Sequence, residues 1–181
     1  GAHAFGVFGK NGGGLVEELG IHADIQMGTL SKSAGSMGGY AAGSKELIQY
    51  FQNMARSFIY TTGMPAMVAA AARVAVGIIA SEPARRVRVL QHASVLRQGL
   101  RDMGFDTRDS VTPIIPVMMN DVSRAVAFSR KLLDRGIFVS AIRPPTVPEG
   151  TARLRVTVSA AHREDDIVRC LEAFRSIKNE L

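Results

Sequence analysis

Lys32 stands in the stretch Asp24-Ile-Gln-Met-Gly-Thr-Leu-Ser-Lys-Ser-Ala-Gly-Ser-Met-Gly-Gly-Tyr40, where an apolar segment runs into Thr29, Ser31 and Lys32 and then into a glycine-rich turn. A primary amine at a strand end, among hydroxyls and backbone N–H groups, has two chemical uses. It can hold a phosphate, or it can act as a nucleophile once burial depresses its pKa. The plainer alternative is a solvated lysine in a turn. The order Gly-x4-Gly-Lys-[Ser/Thr] of a Walker loop is absent. His3, in Gly1-Ala-His-Ala-Phe-Gly-Val-Phe-Gly9, is either structural or a hydrogen-bonding and proton-handling imidazole. Thr61 and Thr62 precede Pro65, which suits the opening of a helix, so they read as helix caps or as anion ligands. Arg153 and Arg155 fall on one face of a strand pattern, where either can clamp a carboxylate or simply face water. Arg143 opens Arg143-Pro-Pro-Thr-Val-Pro148, a stiff loop able to hold one side chain at a pocket rim.

The elements that must position these groups follow from punctuation and periodicity. Twelve of the 18 glycines lie in the first 43 residues, so the front of the chain is turn-rich backbone. Ser44 caps a predicted helix through Gln52, with Glu46 in its first turn. Pro65 opens an alanine-rich helix to about Ser81, and Pro83 opens another. The second carries Val89, Leu96, Leu100 and Met103 and closes at Gly104. Next come a strand over Ile114–Met119 and a helix capped by Asp121, with Val122, Ala125, Val126 and Leu133, closed by Gly136. A strand is predicted over Ile137–Ile142 and a proline-rich loop over Arg143–Gly150. Arg153–Ser159 alternates Arg153, Arg155 and Thr157 with Leu154, Val156 and Val158. A final helix sets Ile167, Leu171, Phe174 and Leu181 on one stripe. The β-α-β-β-α order predicts a small α+β unit with helices on one face of a mostly antiparallel sheet, its boundary within the helices around residues 80–105.

Composition narrows the classes. At 181 residues, 46% hydrophobic and 21% charged, the chain is long enough to bury a core. No apolar run approaches the roughly 18 residues of a membrane span, and no secretory signal is visible. The expectation is a cytoplasmic protein. One cysteine and four scattered histidines offer neither a disulfide framework nor metal-ligand spacing. The net charge of +6 is concentrated between Arg85 and Arg108, where Phe105 is the one aromatic residue, so a solvated helix face is expected there rather than a nucleic-acid interface. Cys170, beside Leu171 and Phe174, is expected to be buried and structural. His22, His92 and His162 take no assignable role.

Taken in order, Ala-His-x-x-Gly-Val-x-Gly, Gly-Thr-Leu-Ser-Lys-Ser-x-Gly, Tyr-Thr-Thr-Gly-Met-Pro and Ile-Arg-Pro-Pro-Thr-Val-Pro-x-Gly-Thr-Ala-Arg-Leu-Arg-Val-Thr resemble the α-oxoamine synthases. These are pyridoxal-phosphate enzymes of the aspartate-aminotransferase fold (fold type I). The resemblance covers the whole chain. It implies an α/β architecture in which residues 1–85 are the C-terminal part of the cofactor-binding large domain and 86–181 a small α+β domain. It also implies pyridoxal 5′-phosphate as cofactor and a homodimer with shared active sites. On this resemblance Lys32 carries the cofactor as a Schiff base and afterwards moves the α-proton, and His3 bonds the cofactor's phenolic oxygen. Thr29 lies near the cofactor phosphate, and Thr61 and Thr62 approach it from the neighbouring subunit. Arg155 holds the amino-acid carboxylate, with Arg143 and Arg153 around the acyl substrate.

Within the family, Arg143–Arg155 most resembles the members that condense L-alanine with a pimeloyl thioester, on coenzyme A or an acyl carrier protein, at the start of biotin assembly. Alternatives are glycine with acetyl-CoA or succinyl-CoA, serine with a fatty acyl-CoA, and a silent fragment acting as a dimerisation module. The family's acid for the pyridine nitrogen would fall just before Gly1. The chain is therefore expected to be a C-terminal half, inactive alone and working with the N-terminal half of the same subunit.

Overall fold

The computed structural model describes residues 1–180, and the chain divides into two compact units, Gly1–Arg86 and the residues from Val87 on. The first unit begins with consecutive turns and a short helix α1, Leu15–Glu18. Strands β1, Gln26–Thr29, and β2, Gly39–Ala42, form an antiparallel pair, with Gln26 opposite Ala42 and Thr29 opposite Gly39. Then come α2, Lys45–Met54, α3, Arg56–Ile59, and α4, Ala66–Ser81. Helix α5, Pro83–Asp102, starts at the end of this unit and continues into the next.

The expected starts are present. Ser44 Oγ accepts the Leu47 N–H at 3.2 Å, the N-cap bond that its position suggested. Pro65 stands at the N-cap of α4, where its missing N–H leaves no orphan donor. Strand β2, α1 and α3 are additions to the sequence reading. The buried cluster is small: Leu30, Ala34 and Ala72, with Phe5, Tyr40, Ala75 and Ile79 packed on it.

The basic stretch is only partly a solvated helix face. Arg86 is 7% exposed and donates to the carbonyls of Lys10 and Ile79, while Arg97 and Arg101 donate to the carbonyls of Thr112 and Arg108. Main-chain carbonyls left over by turns and helix ends draw these guanidinium groups inward. Arg85 and Arg88 stay exposed as expected.

The second unit follows the β-α-β-β-α order. Strand β3, Ile114–Asn120, leads to α6, Val122–Asp134, then β4, Ser140–Ile142, β5, Ala152–Thr157, and α7, Glu164–Glu180. The sheet order is β3-β5-β4, antiparallel throughout, and α6 packs against all three strands and α7. Asp121 caps α6 by accepting the Arg124 N–H at 2.7 Å. The alternation in β5 is as read: Ala152, Leu154 and Val156 are buried, while Arg153 is half-buried and Arg155 and Thr157 are exposed. Phe105, Phe128 and Phe174 meet at centroid separations of 5.2 to 5.8 Å in the centre of the core.

Two expectations need correction. The strand over Ile137–Ile142 shortens to Ser140–Ile142, because the preceding main chain turns toward α6. There the Ile137 N–H donates to the Leu132 carbonyl and Ser129 Oγ donates to the Val139 carbonyl at 2.5 Å. The buried stripe of α6 is Ala125, Phe128 and Leu132, whereas Val122, Val126 and Leu133 are exposed, so the aromatic side chain sets the helix rotation. On α7, Ile167 and Phe174 are buried and Leu171 is half-buried; Leu181 lies outside the described residues. Among the described residues no single helix is long and apolar enough to cross a membrane, and no group of His, Cys, Asp and Glu could hold a metal ion.

Candidate active site

Lys32 projects from the tight connection between β1 and β2. Leu30 and Ala34 are buried in the small cluster, while Ser31, Lys32, Ser33 and Gly35 face outward. The connection is closed by its own main chain, with Leu30 N–H to Gly38 O at 2.9 Å, Ser36 N–H to Leu30 O at 2.9 Å and Gly35 N–H to Lys32 O at 3.0 Å. Gly35 and Gly38 take φ values of 56° and 102°, a region that disfavours other residues, so glycine is what allows so short a return.

Beside the lysine, Thr29 Oγ1 donates to Gly38 O at 3.2 Å and lies 2.7 Å from Ser31 Oγ, while Ser31 N–H donates back to Thr29 Oγ1 at 3.2 Å. A primary amine beside two hydroxyls can condense with a carbonyl carbon and hydrogen-bond an anion. The lysine is thus placed in a rigid, polar, accessible turn.

Several residues that the motifs did not single out hold that turn. Ser33 Oγ donates to Phe5 O at 2.5 Å, which joins the Lys32 turn to the turn that contains His3. The Phe5 and Tyr40 rings meet edge to face at 5.3 Å and add an apolar contact between the same two segments. Ser36 Oγ donates to Val68 O at 3.1 Å, tying the turn to the start of α4. His3 is exposed two residues before Phe5, in the segment that Ser33 ties to the lysine turn. Thr61 and Thr62 are exposed in the segment leading to Pro65, which approaches the same turn at its far end. There the Met64 methyl lies so close to Gly38 that a Cβ on the glycine would come within 2.5 Å of it. The serines carried a weak signal, three hydroxyls within the lysine's own glycine-rich run; nothing in the sequence distinguished their anchoring role.

The three arginines belong to the second unit. Arg155, opposite Pro116 and Ser140 in the sheet, lines a cleft of about 550 Å³ together with Phe138, Ser140, Thr157 and His162. Arg153 Nε donates to Thr151 O at 2.9 Å, which turns its side chain back along the strand start. Arg143 follows β4 and lines a different, shallower cleft with Leu133, Phe138 and Ala141. The loop it opens is held by Thr146 N–H to Arg143 O at 3.1 Å and Thr151 Oγ1 to Pro148 O at 2.6 Å. Arg155 and Arg143 thus line adjoining hollows that share Phe138 and Val139.

The aminotransferase class I and II family model matches residues 1–174, and the chain belongs to that family. Among its relatives, 8-amino-7-oxononanoate synthase of Geobacter sulfurreducens is 44% identical and that of Pseudomonas fluorescens 45%, each matching 99% of this chain and 47% of its own length. The chain spans about half the length of the curated relatives it matches. Among solved structures, one of SPT with its PLP internal aldimine superposes with a TM-score of 0.94 at 32% identity, over 99% of this chain and 46% of that one. The crystal structure of 8-amino-7-oxononanoate synthase from Francisella tularensis superposes at 0.85 with 28% identity, over 99% of this chain and 54% of that one.

Proposed function

We propose that this chain supplies the lysine-bearing portion of a pyridoxal-phosphate-dependent α-oxoamine synthase that joins L-alanine to a pimeloyl thioester with loss of carbon dioxide, giving 8-amino-7-oxononanoate. The observation that carries the reading is the Lys32 turn, an accessible amine beside paired hydroxyls, held from both sides by Ser33 and Ser36. The donor set fits the cofactor. Bound there, pyridoxal phosphate supplies a ring that accepts the electron pair of a bond broken at the amino acid's α-carbon.

The chain's own residues divide the remaining work. Lys32 Nζ would hold the cofactor through its carbonyl carbon and would move the α-proton of the bound amino acid. Thr29 and Ser31 would offer their hydroxyls to the phosphate, and His3 would hydrogen-bond the ring's phenolic oxygen. Thr61 and Thr62 serve the phosphate of a partner subunit in a homodimer. Arg155 would take the substrate carboxylate. Arg143 and Arg153 bound the acyl side. The N-terminal half that the relatives carry completes the site.

Borohydride reduction in the presence of pyridoxal phosphate, with the N-terminal half supplied, is expected to leave a pyridoxyl group on Lys32 and none in Lys32→Ala. An adduct-free wild type would refute the reading. A serine-using alternative is favoured by one observation, the higher TM-score to SPT, while relatives named 8-amino-7-oxononanoate synthase have the higher identity. Thiol release from pimeloyl-CoA with alanine, against palmitoyl-CoA with serine, separates the two.

A further inference from the structure

Arg86 is the buried charge that the proposed chemistry leaves unused. It is 7% exposed, and its guanidinium spans two segments far apart in sequence. One nitrogen donates to the Ile79 carbonyl, among the last four of α4, which have no partner within the helix. The other donates at 2.5 Å to the carbonyl of Lys10, in the glycine-rich loop. Both bonds carry a full charge and lie away from water, which makes them stronger than neutral ones.

The loop so held is stiff. The Glu17 carboxylate takes the Asn11 N–H at 2.9 Å, the Asn11 Nδ2 at 2.6 Å and the Gly13 N–H at 2.8 Å, and Glu18 takes the Gly9 N–H at 2.8 Å. It is laced to the turn that carries His3 by Gly6 N–H to Gly12 O at 2.8 Å and Gly14 N–H to Phe8 O at 2.9 Å. Contacts along this line have no slack. A Cβ on Gly12 would lie 2.6 Å from Ile79 Cγ2, and one on Gly6 would lie 2.6 Å from Ser33 Oγ. Ser33, adjacent to Lys32, closes the line on the Phe5 carbonyl.

We propose that Arg86 is a positioning residue for Lys32. It sets the seat of the glycine-rich loop, the loop sets the turn that carries His3, and through Ser33 that turn sets the lysine. The proposal rests on the reading of Lys32 as the cofactor-binding amine. It separates two contributions to binding: the pocket that receives ring and phosphate, and the aim of the amine that bonds the carbonyl.

The test compares pyridoxal phosphate with pyridoxamine phosphate, which shares ring and phosphate but has no aldehyde to bond the lysine, in the full-length protein. Arg86→Gln is expected to bind pyridoxal phosphate roughly tenfold more weakly, the effect of losing one or two charged hydrogen bonds, and pyridoxamine phosphate by a clearly smaller factor, since of the contacts set by this line only that of His3 is shared by both ligands. Arg86→Lys, keeping the charge but reaching one carbonyl, should recover part of the loss. Ser33→Ala, an exposed change at the other end of the line, should give the same split should Arg86→Gln fail to fold. Equal loss for both ligands, or no loss in either variant, overturns the proposal. A wild type without a reducible bond at Lys32 instead refutes the cofactor reading beneath it.

Discussion

Gly28 sits in β1, directly opposite Tyr40, and an added methyl there would lie 2.5 Å from the phenol's Cζ and Oη. Its backbone is ordinary strand, so Gly28→Ala tests packing and not conformation. The ring cannot step aside freely, because it packs edge to face on Phe5 at 5.3 Å and on the Leu30–Ala72 cluster. Overpacking of this kind costs about 2 kcal/mol, and loss of the ring pair adds about 1 kcal/mol. Reduced freedom of the unfolded chain returns about 0.7 kcal/mol, leaving a net destabilisation of about 2 kcal/mol.

The chain reports on this directly. It has no tryptophan, and its three tyrosines, Tyr40, Tyr50 and Tyr60, all lie in the first unit, so tyrosine emission in urea follows that unit alone. With a denaturant slope of about 1 kcal/mol/M, the midpoint should fall by about 2 M. In a Tyr40→Ala background, where the obstacle is gone, Gly28→Ala should become neutral or slightly stabilising. A midpoint loss of the same size in both backgrounds would refute the reasoning.

Two further outcomes concern the second unit. Burial pushes the Cys170 thiol up to about 11, so at pH 8 iodoacetamide should leave the native protein unlabelled and react once urea opens the unit; rapid native labelling would contradict this burial. The Glu180 carboxyl is held below its usual 4.5 by the hydrogen bond from Lys131, then by Ser176 and the charges of Arg135 and Lys131. A depressed pKa stabilises the fold above the ordinary carboxylate range and loses that contribution as pH falls through the lowered value. The urea midpoint of this unit, followed by circular dichroism, should therefore fall on acidification in the wild type, and Glu180→Gln should flatten that acid-side change.

Local chemistry made much of this legible. The caps at Ser44 and Asp121 and the proline start at Pro65 are written in single residues with one strong preference, and the alternation of β5 follows from a sheet with one buried face. The lysine turn was legible because glycine, hydroxyl and amine fall within one short run. What depended on distant partners was not. The shortening of β4 arises from a serine on α6 capturing the Val139 carbonyl, and the burial of Arg86 from a carbonyl 76 residues away. The rotation of α6 depended on which apolar side chain fits the aromatic cluster, and Phe128 outweighs the aliphatic residues that the periodicity favoured.

The strand order β3-β5-β4 has a consequence for synthesis. The central strand is the last of the three to leave the ribosome, and its two neighbours do not pair with each other. Until residues 152–157 emerge, Ile115 and Val117 have no sheet to join, and α6 has no complete surface to cover. Assembly of this unit is therefore a late, all-at-once event, and a nascent chain halted before Ala152 exposes two orphaned edges to whatever chaperone or neighbouring strand reaches them first.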